Sequence, residues 1–475
     1  MDKSLNNSVR ALPSVQELRE KLNNVNGSNA RAMLEQIFDE GTFIELGVFT
    51  KRKFSEIIPE EKESLLEGVI CGYGAVNGRL SFAFAQDDSR LNGAIDENHA
   101  KKICDLYDLA MKNAAPVIGI FASSGANIFE GVSALAAYGK IIKSVSDASG
   151  AIPQIAIING ACVGTSASIA AMFDFVIKVK NAPYYVTDPS LNKNAAELSA
   201  ITAVAENSNE AAGYARALME YLPDNASSEI SVADCTDDLN KALDEAAAND
   251  ARYLISSISD NGQYIELYAT YAKEMITAFS TIGGVRCGVI ATDFSIDEGR
   301  ITSDGANKAT KLISFCDAFN IPVVNLVDSM GLSTSENGNR YASDIAKLSI
   351  AFAQAEIPMV TVILGHAIGA SYALLGSKAI GADVAYAIDT AEISALPSDA
   401  SVAFAWNNKV STETSREELE QEWRTSLASP VAAASAGEID DIISASEIRA
   451  RICSALLMLA GKGEMIFAKH STLPL

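Results

Sequence analysis

The chain has 475 residues, 48% hydrophobic and 20% charged, the make-up of a soluble globular protein with room for about two to four domains. A formal charge of −23 argues against nucleic acid or an anionic membrane as partner, and any anionic substrate has to be met by local basic residues. Seven scattered cysteines without a C-x-x-C pair argue against zinc and disulfide frameworks, so no metal is expected and a reduced cytoplasm fits.

In chain order, the polar start MDKSLNNSVR carries no secretory signal, and residues 14–40 have the apolar spacing of a helix. DEGTFIEL (Asp39–Leu46) follows, and DNGQYIEL (Asp260–Leu267) repeats it at an offset of 221. Gly78/Gly284, Asp87/Asp293 and Pro116/Pro322 then pair at 206, and Lys101/Lys308 at 207, so about 15 extra residues are expected within Lys51–Tyr73. Strands are predicted near Val69–Ala75, Leu80–Gln86, Pro116–Phe121 and Gln154–Ile158, with helices near Glu97–Asn113 and Glu130–Val145. The alternation predicts α/β layers with right-handed crossovers, duplicated within the chain. Residues 207–251 read as a partly helical, solvated connection, and Arg416–Lys469 as helices, with ELEQEW on a surface helix that has a docking face.

Two stretches stand out. IPQIAIINGACVGTSASIAAMFDF (Ile152–Phe175) reads as a buried strand, a turn through Gly160 and Gly164, and a small-residue helix. IPMVTVILGHAIGASYALLG (Ile357–Gly376) repeats the layout, with Pro153/Pro358, Gly160/Gly365 and Gly164/Gly369 all at 205. The unpaired N–H groups of such a turn suit an oxygen that becomes negative during a reaction. Neither stretch reads as a membrane span, because Asn, Gly, Ser or His interrupts each. The histidines His99, His366 and His470 lie too far apart in sequence for a multi-histidine catalyst.

These residues resemble the carboxyltransferase subunits of biotin-dependent acyl-CoA carboxylases and decarboxylases, over about residues 15–400. The resemblance rests on DEGTFIEL, GYGAVNGR, FAQD, Ser123–Val132 (SSGANIFEGV), INGACVGTSASIAAMFDF, Lys308–Asp328 and Val360–Tyr372. It implies two tandem crotonase-like (ClpP/crotonase) α/β domains, residues 1–225 on the acyl-CoA side and 226–475 on the biotin side. The implied reaction moves a carboxyl group between biotin, borne by a separate carrier protein, and the α-carbon of a short acyl-CoA. Implied partners are that biotin carboxyl carrier protein and either a biotin carboxylase or a membrane decarboxylase subunit. The family's active site joins the first half of one subunit to the second half of its neighbour, implying an obligate dimer that assembles into a hexamer.

Matched position by position, Gly164 and Thr165 would hold the thioester oxygen, and Gly369, Ala370 and Ser371 the biotin oxygen. Ser124, Gly125, Ala126, Gly160 and Gly331 would line the substrate sites. Lys51, Arg52 and Lys53, then Lys101 and Lys102, are the basic candidates for the CoA phosphates. Departures gather in the second half: the family's D-x-P-G-F is Asp328–Leu332, and its basic pair before A-Y-G-G is Gly365-His366. Ala110-Met111-Lys112-Asn113 resembles a biotin-attachment site but falls at a predicted helix end. A biotin-independent crotonase-type enzyme, with Glu130 as its glutamate, and a non-catalytic subunit of a carboxylase complex are the alternatives.

Overall fold

A computed structural model describes residues 28–52, 66–187, 190, 198–244, 249–335 and 338–462. It contains two eight-stranded sheets of identical topology. The first runs β1 (Ile44–Leu46), β2 (Val69–Val76), β3 (Arg79–Gln86), β4 (Val117–Ser123), β5 (Gln154–Val163), β6 (Phe175–Val179) and β8 (Ala203–Ala205), with β7 (Tyr184–Tyr185) on the end of β5. The second runs β9 (Tyr264–Leu267), β10 (Met275–Ile282), β11 (Val285–Thr292), β12 (Val323–Ser329), β13 (Met359–Ile368), β14 (Val384–Ile388) and β16 (Asp441–Ile443), with β15 (Glu392–Ser394) on the end of β13. In each sheet the first three strands are antiparallel and the rest parallel, joined by crossover helices. The α-helices of five or more residues are α1 (Asn29–Ile37), α2 (Glu97–Asn113), α3 (Val132–Ala148), α4 (Thr165–Ala171), α5 (Ser208–Tyr221), α6 (Ala251–Ile258), α7 (Ser303–Ala318), α8 (Tyr341–Gln354), α9 (Ala370–Leu374), α10 (Arg416–Ser426), α11 (Pro430–Ser435) and α12 (Ile448–Leu459).

The repeated octet has a structural reason. The Asp39 carboxylate accepts the N–H groups of Asn77 (3.2 Å) and Gly78 (2.8 Å) in the tight β2–β3 hairpin. Asp260 does the same for Gly283 (2.9 Å) and Gly284 (2.8 Å) between β10 and β11. Both turns hold two residues at positive φ, the backbone of a two-residue hairpin. An arginine from the helix after the last strand completes each clamp: Arg216 on Asp39 at 2.9 Å and Arg449 on Asp260 at 2.7 Å.

The offset falls from 221 at β1/β9 to 206 at β2/β10, so the additional residues lie between Leu46 and Val69. Of these, 53–65 fall outside the described residues. The helices α2 and α7 pair at 206, with N-caps at Asp96 and Thr302. That corrects the Lys101/Lys308 match: Lys102 is the partner of Lys308. Both are buried and donate to backbone carbonyls, Lys102 to Val69 (2.6 Å) and Lys308 to Tyr271 (2.8 Å).

The expected solvated connection is also corrected at its start. Helix α5 packs on α1 and buries Ala211, Ala212, Ala215, Leu218 and Met219, so it belongs to the first half's core. In the tail, β16 interrupts the expected run of helices. The residues Ala110–Asn113 end α2, with Ala114 left-handed behind them. Of the predicted 14–40 helix, 29–37 is seen and 14–27 lies outside the described residues. The halves meet through Phe175, whose ring lies 5.8 Å from Phe279 and 4.8 Å from Phe315. Among the described residues no helix is long and apolar enough to cross a membrane.

Candidate active site

The candidate site forms where β4 and β5 end side by side. Their register runs from Val117↔Gln154 to Ser123↔Cys162, with a shift between Phe121 and Ser123. The strand β5 continues through Gly160 as far as Val163, so Gly160 is not in the turn. A Cβ at Gly160 would fall 2.8 Å from that of Ala122, which is why the two strands can lie so close there. The turn is Gly164 alone, at φ 62 and ψ −131, a backbone that only glycine adopts readily.

Backbone hydrogen bonds decide which N–H groups are free. Gly164 donates to the Tyr185 carbonyl (2.9 Å), so its own N–H is committed to β7. Ser124 donates to the Asn92 carbonyl (3.0 Å), and Gly125 to the Ser123 hydroxyl (3.2 Å). Asn127 donates to the Ile95 carbonyl (2.8 Å). Among the described residues, Ala126 and Thr165 are left with N–H groups that no protein acceptor takes. Each stands three residues beyond the Ser123↔Cys162 pair. The space before them is open, since a Cβ on Gly125 or Gly164 would meet nothing within 4 Å.

The second half copies this pattern bond for bond. Gly369, at φ 57 and ψ −117, donates to the Ser394 carbonyl (2.8 Å). Met330 donates to Glu298 (3.1 Å), Gly331 to the Ser329 hydroxyl (3.2 Å) and Ser333 to Ile301 (3.0 Å). Among the described residues, the free pair here is Leu332 and Ala370. Leu332 was not singled out from sequence, although the 206 offset from Ala126 points to it. The Ser371 hydroxyl is spent bracing the carbonyls of Ser329 and Ile368, both at 2.9 Å. The second turn is tighter: Cβ atoms on Gly331 and Gly369 would each lie 3.1 Å from a carbonyl oxygen.

The basic candidates separate. Lys51 is exposed. Arg52 turns inward, its Nε 3.6 Å from Glu67 and 3.4 Å from Asp96. Burial pushes the Glu67 carboxyl up, but His99, the Gly68 N–H and Arg52 outweigh it and hold it at about 2. Burial and the neighbouring Glu67 push Asp96 up to about 6. Lys101 is exposed and pairs with Asp105 at 2.5 Å, and Lys102 is buried. Residue 53 lies outside the described residues. Glu130 accepts the N–H of Glu97 (2.9 Å) at the start of α2. His366 forms a pair with Asp328, Nδ1 to Oδ1 at 2.9 Å, under the ring of Phe294. That trio was not foreseen, because its members are far apart in sequence.

The family model for the carboxyl transferase domain matches residues 26–203 and 199–473. The chain is 35% identical to the methylmalonyl-CoA decarboxylase subunit alpha of Veillonella parvula, covering 94% of this chain and 93% of that one. It is 33% identical to the propionyl-CoA carboxylase beta chain of Roseobacter denitrificans, again over 94% and 93%. The crystal structure of transcarboxylase 12S superposes with a TM-score of 0.86 at 29% identity, covering 98% of this chain and 100% of that one. That structure is described as a hexamer with methylmalonyl-coenzyme A and methylmalonic acid bound. With the duplicated sheets and paired donors, these similarities make the chain a member of the carboxyl transferase domain family, an acyl-CoA carboxyltransferase of the kind found in carboxylase and decarboxylase complexes.

Proposed function

We propose that the chain transfers a carboxyl group between the ring nitrogen of biotin, delivered by a separate carrier protein, and the α-carbon of a short acyl-CoA such as propionyl-CoA or acetyl-CoA. The observation that carries this reading is the duplicated donor pair. The reaction develops two oxyanions, the thioester enolate and the ureido oxygen of biotin, and two equivalent sets of backbone donors suit them. Ala126 and Thr165 hold the thioester oxygen in the first half, residues 1–225, and Leu332 and Ala370 the biotin oxygen in the second, residues 226–475. Gly164 and Gly369 shape the turns, while Gly125, Gly160 and Gly331 keep side chains out of the approach. Lys51 is an exposed cation for the CoA phosphates. After carboxybiotin loses CO₂, its nitrogen takes the α-proton, so no protein base is required.

A biotin-independent crotonase-type reaction calls for a glutamate free to act near the first turn, and Glu130 is engaged at the N-terminus of α2. The test is direct. Purified protein is given methylmalonyl-CoA or malonyl-CoA with and without biotin. Biotin-dependent formation of propionyl-CoA or acetyl-CoA is the expected result. Product without biotin would favour the crotonase-type reading, and no product from a folded sample would favour a non-catalytic subunit.

A further inference from the structure

The trio Phe294, Asp328 and His366 has an internal control, because the chain carries a second copy of the same backbone. The equivalent positions in the first half are Asp88, Ala122 and Ala161. There a Cβ at Gly160 would meet Ala122 at 2.8 Å and the Asp88 carboxylate at 3.8 Å, with no ring over the strand ends. The fold therefore does not need the trio. In the second half the Asp328 carboxylate fills that space: a Cβ at Gly365 would lie 2.5 Å from Oδ1. Oδ1 accepts both the backbone N–H of His366 (2.7 Å) and ring Nδ1 (2.9 Å). Phe294 stacks on the imidazole at 4.8 Å and 16°.

Such a clasp fixes the ring and its tautomer. Nδ1 is committed to Asp328 and Nε2 is left to a ligand, with 36% of the side chain still exposed. Asp328 and His366 each stand four residues before the free donors Leu332 and Ala370. The charged groups around the ring are Asp328 on β12, Glu392 opposite His366 on β15, and Arg424 on α10, which pairs with Glu392 at 3.1 Å. The hydrogen bond to Asp328 holds the imidazole above its ordinary 6.5. In a chain of charge −23 this favours a positive charge beside the second turn.

We infer that His366, clasped by Asp328 and Phe294, binds through Nε2–H the carboxylate of the group being transferred on the biotin side. This rests on the carboxyl-transfer reading. Asp328 is then a positioning residue, and the interaction exists only while the imidazole is protonated.

The experiment compares wild type, His366→Gln, His366→Lys and Asp328→Asn. With N-carboxybiotin as donor and propionyl-CoA as acceptor, His366→Gln should raise KM for carboxybiotin about tenfold to hundredfold and leave KM for propionyl-CoA unchanged. Wild-type transfer should fall as pH rises through the His366 midpoint. His366→Lys should partly restore transfer and flatten that profile, and Asp328→Asn should move the midpoint down. A second readout needs no turnover: the imidazole NMR titration, simple in a chain with three histidines. Sodium malonate, as a carboxylate probe, should raise the His366 midpoint. A His366→Gln enzyme with wild-type KM and pH profile, or a midpoint that malonate does not move, overturns the assignment. Absence of transfer in wild type would instead count against the carboxyl-transfer reading, and the malonate titration would still decide the role of His366.

Discussion

A proline at position 165 isolates the chemistry of one N–H group. Thr165 is the first residue of α4, where proline's φ is already accommodated and its missing N–H breaks no helical bond. Thr165→Pro is expected to keep its melting temperature while kcat falls about 10²–10³-fold. Gly164→Pro is a poor probe of the same site, because φ 62 and the bond to Tyr185 are both lost. Asp174 offers a test of pH dependence. Its half-buried carboxylate accepts the Gln154 N–H at 2.8 Å, and burial pushes it up to about 7. Between its ordinary 3.8 and 7 the folded state holds a proton that the unfolded state has released. Stability therefore falls as pH rises through that window and stays reduced above it. Asp174→Asn should raise the melting temperature by about 3–5 °C at pH 8 and hardly at all near pH 4. An equal gain at both values would contradict the assignment.

Among the elements, the hairpin clamps differ in one respect that matters. The Arg449 side chain is fully buried and Arg216 is 31% exposed. Asp260→Ala leaves the buried guanidinium with Asp237, at 3.5 Å, as its remaining carboxylate and should cost about 3 kcal/mol in denaturant unfolding. Asp39→Ala should cost less, since water reaches its arginine. The octets that mark these clamps were visible in the sequence, and so were the duplicated strand order and the helix Glu97–Asn113. Other features were hidden for physical reasons. The helix α5 buries an alanine face, which gives little contrast between its two sides. Lys102 and Lys101 differ in burial and not in chemistry, so charge alone could not choose between them. Gly160 reads like a turn residue, although its role is close approach to Ala122 within a strand. That the Gly164 N–H is spent on Tyr185 depends on β7, a two-residue strand with little sequence signal.

At the level of the whole molecule, the donor sets Ala126/Thr165 and Leu332/Ala370 sit on separate sheets, and no hydrogen bond or ion pair joins them among the described residues. In the proposed reading a second chain supplies the missing half, about a two-fold axis. Thr165→Pro and Ala370→Pro chains, each inactive alone, should recover part of the activity when co-expressed, because one of the two sites in a mixed dimer receives both intact donor pairs. Mixed dimers that stay inactive, or a monomer by sedimentation in active preparations, would refute the shared site. The backbone character of the donors also bears on mutational scanning. Replacing each side chain by alanine leaves every amide in place, and at Ala126 it changes nothing at all. A scan of that kind would pass over the groups proposed to hold both oxyanions. An amide-to-ester exchange at Thr165 or Ala370, which swaps one N–H for an oxygen and keeps the side chain, would find them.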